Sequence, residues 1–344
     1  MGDLSIRRFT NYSGPIKEFL DLPAQARRLE GSEAEQERVY SEALLNPDNS
    51  FHRNSSSMCF LAYRAGTPVG RLTAFHNRLL TDYRAHVGLA GQFCCDDDLQ
   101  AAKSLFGMAA TWMEGQGLTL MRGPIDGDIW HRWRFMVRGF DTTPFPAEPR
   151  HPQYYPTLFV RCGFAPVRSY CTKTIADPWA QFERFGPAMH SNRQRGISFE
   201  DVARDGLNGL MPTLHDVYVN SMQELWSSTA APIEEFTAVF KRHLEFLHPE
   251  FVILARDKNG GAVGLGLAVC APQDTVNVLT VVALPSQAGM SLGQATVGEL
   301  YRRGLEQGKK TFQHCMLDPF SPAQRWDHGE AEITREYALY ERPM

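Results

Sequence analysis

Residues 280–310 read TVVALPSQAGMSLGQATVGELYRRGLEQGKK. An apolar run ends at Pro285, a turn carrying Gly289 follows, and a helix pattern begins near Gly293. This order suits one task. The first N–H groups of a helix have no partner inside it and the dipole is positive there, so such a start holds a pyrophosphate. A second group is Trp130, His131, Arg132, Trp133 and Arg134, within GPIDGDIWHRWRFMVRGFD. Interleaved aromatic and basic side chains stack on bases and meet phosphates. The same pattern also makes a buried amphipathic strand or a lid over an acceptor. Arg193 and Arg195, in HSNRQRG, add two cations that read equally well as linker residues. Polar residues interrupt apolar runs at Asn277 and Thr280, and His314 and Asp318 lie in HCMLD at a strand end.

The elements that must position these residues are legible. A chain of 344 residues favours two domains. The formal net charge of −4 gives no whole-chain attraction to nucleic acid or to an anionic membrane. Seven cysteines, none in a CxxC or Cys/His spacing, point to free thiols in a reducing compartment, with no disulfide framework and no metal site. MGDLSIRRF lacks the apolar core of a signal peptide, and no run has the length of a membrane span. A cytoplasmic location is therefore expected, with no membrane partner. Oligomeric state is left open.

Strand patterns lie at 5–9, 57–77 (a hairpin turning at Gly66), 86–95, 118–124 and in APVRSYCTKTI. Helix patterns lie at 16–22, in SEAEQERVYSEALL and at 96–117. Ser32 and Glu35 have the spacing of a capping box. After a seam near 177–195 the order begins again. A strand at 195–203 and two helices precede a hairpin at 250–272 turning at DKNGG. Then come the strand VNVLTVVALP, the helix SLGQATVGELYRRGLEQG, and strands in KKTFQHCML and ITREYALYERP. Two halves with one element order suggest a duplicated domain.

This order resembles the GCN5-related N-acetyltransferase (GNAT) fold, an α/β (α+β) arrangement of a mixed, splayed sheet flanked by helices. FLAYRAGTPVGRLTAFHN, WMEGQGLTLMRGP, VRGFDTTP and HPQYYPTLFVRCGF resemble the first half of a bacterial tandem-GNAT group, and EYALYERPM resembles its end. The resemblance implies domains at 1–180 and 181–344. It also implies an acyl-CoA or acetyl-CoA donor in a gap between two strands, with its pyrophosphate on the following helix. The family motif has Arg or Gln, two residues, Gly, one residue, and Gly or Ala. Here Ala288 holds the basic place, Ser291 the first glycine and Gly293 the second small position, with Gln287 one place early. The implied donor residues are Ala283, Gln287, Gly289, Ser291, Leu292 and Gly293. In the first half Asp96, Asp97 and Asp98 crowd the matching helix start and repel a pyrophosphate, so no CoA site is expected there.

The implied acid and base candidates are His314 at a strand end, Glu224 (beside Trp226) on the acceptor-side helices, and His328 where the family often has a tyrosine. The expected reaction is direct acyl transfer from acyl-CoA to a small-molecule amine. Two alternatives stand beside it: a transferase using aminoacyl-tRNA, for which the altered turn and the basic residues speak, and a non-catalytic GNAT-fold binding protein.

Overall fold

A computed structural model of the chain describes residues 3–10, 13–27, 29–202, 207–222, 225–243, 247–271 and 274–344. The first half runs β1 (Leu4–Phe9), α1 (Ile16–Arg27), α2 (Gly31–Leu45), β2 (Ser55–Arg64), β3 (Thr67–Asn77), β4 (Val87–Cys95), α3 (Leu99–Glu114), β5 (Leu120–Gly123), β6 (Phe135–Arg138), α4 (Tyr155–Arg161) and β7 (Ala165–Thr174). The second runs α5 (Pro178–Gln194), β8 (Ser198–Asp201), α6 (Leu207–Met222), α7 (Ile233–His243), β9 (Val252–Arg256), β10 (Ala262–Cys270), β11 (Thr275–Ala283), α8 (Leu292–Glu306), β12 (Thr311–Leu317) and β13 (Glu332–Pro343). Among the described residues no helix is long and apolar enough to cross a membrane.

All thirteen strands join in one sheet, in the order β1-β2-β3-β4-β5-β13-β7-β12-β11-β10-β9-β8, with β6 also on β13. The halves repeat in sequence but exchange strands in space. The last strand, β13, pairs with β5 of the first half (Tyr340 opposite Gly123) and with β7 (Tyr337 opposite Tyr170). β7, made by the first half, pairs in turn with β12 (His314 opposite Lys173).

Apolar spacing explains the helices on the sheet. Ala102, Leu105, Phe106 and Ala109 recur on one face of α3 and are buried against Phe60, Leu72 and Phe159. On α8, Val297, Leu300, Tyr301 and Leu305 are buried with Val276 and Phe312. Side chains of this size contribute about 1.5–3 kcal/mol each when fully buried.

Two local expectations are corrected. The Ser32/Glu35 capping box is not used: α2 starts at Gly31, whose φ of 54° turns the chain one residue earlier, and Glu30 caps it without a side-chain bond. The seam near 177–195 is a helix and not a linker. Asp177 accepts from the N–H groups of Trp179 and Ala180, and Pro178 occupies the first turn, where its missing N–H is no loss. Strand β6 carried no alternation long enough to be seen in the sequence.

Candidate functional site

β11 and β12 run parallel from Thr275/Thr311 to Val278/His314 and then part. The cause is local. β11 carries an extra residue at Leu279, since its pairing to β10 steps from Ala268–Val278 to Leu267–Thr280. A bulge of this kind bends a strand and strengthens its twist. β12 is irregular as well, its pairing to β7 broken between His314 and Leu317, with Met316 at a φ of 51°. The two parallel strands thus part into a wedge toward their C-terminal ends.

The six residues expected to hold a donor lie along the turn from β11 to α8. Ala283 ends β11, and Gln287 closes a single 3-10 turn. Gly289 and Ser291 both have left-handed backbone, φ 74° and 54°. For serine that conformation costs about 1–2 kcal/mol. Ser291 starts α8 without a side-chain cap, and the first N–H groups of the helix have no partner within it. Leu292 is buried beneath the turn with Ile197 and Val263, and anchors it.

The motif lacks a basic residue at Ala288, but space supplies one. Arg195, after α5, donates from Nη2 to Gln287 Oε1 at 2.8 Å and from Nη1 to the Met290 carbonyl at 3.4 Å. Asn192 donates to that carbonyl at 3.0 Å. The sequence marked Arg195 as a cation but not as part of this turn, because it lies far from it in the chain. Trp326 also reaches this place: a Cβ added to Gly293 would lie 3.3 Å from its indole and 3.8 Å from Val281.

The expected acid and base residues are not alike. His314 is buried, and its Nε2 lies 3.0 Å from the Tyr301 hydroxyl. Burial outweighs the pull of Asp327 and lowers its pKa to about 4, so the ring is neutral at pH 7. His328 is exposed, in left-handed backbone with a φ of 53°. Asp318 is held by Arg168 through bonds of 2.7–3.0 Å. Glu224 lies outside the described residues.

Two groups at the wedge were not singled out as site residues from the sequence. Tyr218, on α6, bonds to Thr280 Oγ1 at 3.1 Å, next to the bulge. Burial raises its pKa, against the opposing effects of Thr280 and Arg134, so the hydroxyl keeps its proton. Arg134 crosses from the first half and donates to the Met316 carbonyl at 3.2 Å. It is buried, makes no ion pair among the described residues, and has a buried Nε without a partner. Its guanidinium lies 3.6 Å from the Trp133 ring centre and 4.5 Å from that of Tyr170, and burial lowers its pKa to about 10. The run Trp130–Arg134 thus faces mostly inward.

The first half has the corresponding wedge, filled by its own chain. β4 and β5 pair only over Val87–Leu89 and Leu120–Arg122. Beyond them Ile125 N donates to the Ala90 carbonyl at 2.9 Å, and Asp126 Oδ1 accepts from Gln92 N. A Cβ on Gly91 would lie 2.2 Å from the Ile125 carbonyl oxygen. At the start of α3, Asp98 accepts from the N–H groups of Gln100 and Ala101 and pairs with Arg64.

No family model matches the chain. Protein YghO of Escherichia coli (strain K12) is 25% identical over 200 residues, 56% of this chain and 50% of that protein. Bacterial ceramide synthase of Caulobacter vibrioides (strain NA1000 / CB15N) is 30% identical over 159 residues, 44% of this chain and 40% of that protein. The chain therefore matches about half, or less, of the length of these curated relatives. Among solved structures, a GCN5-related N-acetyltransferase from Anabaena variabilis ATCC 29413 superposes with a TM-score of 0.59 at 12% identity, over 98% of this chain and 72% of that one. A tandem GNAT protein from the clavulanic acid biosynthesis pathway gives 0.55 at 12% identity, over 99% and 98%. Similarity at this level of identity speaks to architecture, and with the splayed strands and the repeated element order it leads to one statement: the chain has the fold of the GCN5-related N-acetyltransferases, in its tandem form.

Proposed function

We propose that the chain is an N-acyltransferase that moves an acyl group from acyl-CoA to an amine, with the donor on the second half. One observation carries this reading: β11 and β12 part after Val278 and His314 and lead to an uncapped helix start at Ser291. Arg195 supports it by placing a cation on that turn. In the first half the corresponding gap holds Ile125 and Asp126, so the donor is assigned to one site only.

The amine nitrogen attacks the thioester carbonyl, forming a C–N bond and a tetrahedral intermediate. Collapse breaks the C–S bond and expels the CoA thiolate, and the nitrogen loses a proton to a base. In this reading Tyr218, protonated and beside the bulge, gives its proton to the thiolate. An acyl-enzyme on cysteine is not favoured: burial pushes the Cys270 thiol up to about 11 and the Cys315 thiol well above its usual value. The name of one relative, bacterial ceramide synthase, puts a long-chain amino alcohol first among acceptors to assay.

A second reading has its own observation. Trp326 packs across Gly293 and Val281, which fits a GNAT-fold binding protein with a closed wedge. Calorimetric titration with acetyl-CoA and longer acyl-CoA, followed by thiol release with the amine, separates the readings. Binding by the wild-type protein with amine-dependent thiol release supports the transferase. Binding only by Trp326→Ala supports the closed wedge. No acyl-CoA binding, with salt-dependent retention of tRNA, moves the donor to aminoacyl-tRNA.

A further inference from the structure

We propose that Asp128, His131 and Glu235 bind one divalent transition-metal ion, Zn2+ or Mn2+, that ties α7 of the second half to the 124–134 loop of the first. One ligand atom from each residue lies within 4.8 Å of the others, and all three residues are buried. Asp128 and Glu235 are 1% and 2% exposed, which leaves water little part in solvating them. Asp128 Oδ1 is fully engaged: it accepts from Trp130 N at 2.9 Å, His131 N at 3.1 Å and His131 Nδ1 at 2.7 Å. Its Oδ2 meets no N–H among the described residues, and the Asp128 carboxylate shares a hydrogen bond with the Glu235 carboxyl. No arginine or lysine among the described residues pairs with Asp128 or Glu235, and the basic group beside them is His131 itself.

Two carboxyl groups in so dry a place cannot both stay charged without a cation. A shared proton resolves the conflict in part. A divalent ion resolves it fully by taking the place of that proton among three buried ligand atoms. Carboxylate and imidazole donors together suit Zn2+ or Mn2+. At Zn–N and Zn–O distances of about 2.0–2.2 Å, tetrahedral ligand atoms sit about 3.3 Å apart, so the cluster closes by about 1.5 Å at most. The fourth position takes water. The ligands come from both halves, so the ion acts as a clamp. It fixes Trp130, which bonds to Thr229 Oγ1 at 3.0 Å and packs on Tyr218 with ring centres 5.3 Å apart. This inference does not depend on the acyl-transfer reading.

The test is metal analysis of the untagged full-length chain, as purified and after equilibration with Zn2+ or Mn2+ and gel filtration. The expected result is about one equivalent of metal per chain. Chelator should lower Tm, and the zinc absorption edge should show N/O ligands without sulfur, which excludes the seven cysteines. Glu235→Gln and Asp128→Asn should each lower the retained metal by about tenfold or more, with circular dichroism confirming that they fold. Less than about 0.1 equivalent after equilibration, with the same Tm in chelator, would overturn the proposal in favour of a shared proton. Equal retention by both variants would also overturn it and mark an adventitious site.

Discussion

Arg122 is 0% exposed, and its guanidinium holds three things together. It lies 2.6 Å from Asp82 and 2.6 Å from Glu341 of β13, and it covers the Trp226 ring at 4.0 Å. Arg122→Met fills most of the volume and removes the charge. Asp82 and Glu341 are then left with Arg84, which is half exposed and 3.0 and 3.5 Å away. Breaking a buried pair in this way costs about 3–5 kcal/mol, because an uncompensated charge remains. A unit of 344 residues unfolding in one step has a melting entropy of about 0.7 kcal/mol/K, so Tm should fall by about 4–7 °C. The pH dependence has a definite sign. Burial works against the ionised Asp82, but its bonds to Arg84 and Arg122 hold its pKa well below the usual carboxylate range. A depressed carboxylate stabilises the fold above its unfolded pKa and loses that contribution as pH falls through the folded value. The wild-type advantage should therefore be full at pH 7 and shrink below about pH 4. Differential scanning calorimetry of both proteins from pH 3 to 7 reads this directly. A fall of less than about 2 °C at pH 7, or a gap that widens on acidification, would refute the argument.

Three further outcomes are expected. Glu37→Gln should destabilise the fold by about 3 kcal/mol at pH 7. Burial opposes the Glu37 charge, but Arg132, Arg71 and Arg27 win and set its pKa at about 2, so the loss should vanish between pH 4.5 and 2 in denaturant titrations. Gly91→Ala drives a methyl into the Ile125 carbonyl and should destabilise by about 3 kcal/mol or more. A wild-type melting curve would show that the 124–126 segment does not sit in the first wedge. Arg195→Ala should weaken acyl-CoA binding by about tenfold or more, as expected for one charge-assisted bond of about 1.5–3 kcal/mol. Calorimetric titration should show that difference narrowing as salt rises.

Most of the element order was legible because the apolar periods are clear. The hairpin at 57–77 became β2 and β3, and the pattern at 291–308 became α8. The helix at 178–194 was missed although Asp177-Pro178 is a start signal, since its interior mixes Gly186 and Pro187 with charges. At the site, the turn from Ala283 to Gly293 was legible because it is contiguous. Arg195, Tyr218 and Arg134 come to it from α5, α6 and the other half, and local spacing carries no record of such approaches. The exchange of β7 and β13 was hidden for the same reason: a strand pattern names its faces but not its neighbours.

The exchanged strands also set an order of assembly. As the chain leaves the ribosome, β5 and β7 of the first half are complete long before residues 332–343 exist. The place between them stays empty until residues 332–343 emerge, leaving two strand edges open to pairing with other chains. The first half therefore has no finished state of its own to reach early, and its folding waits for residues 332–343. Ending translation before Glu332 should yield an aggregating product, with no soluble first half.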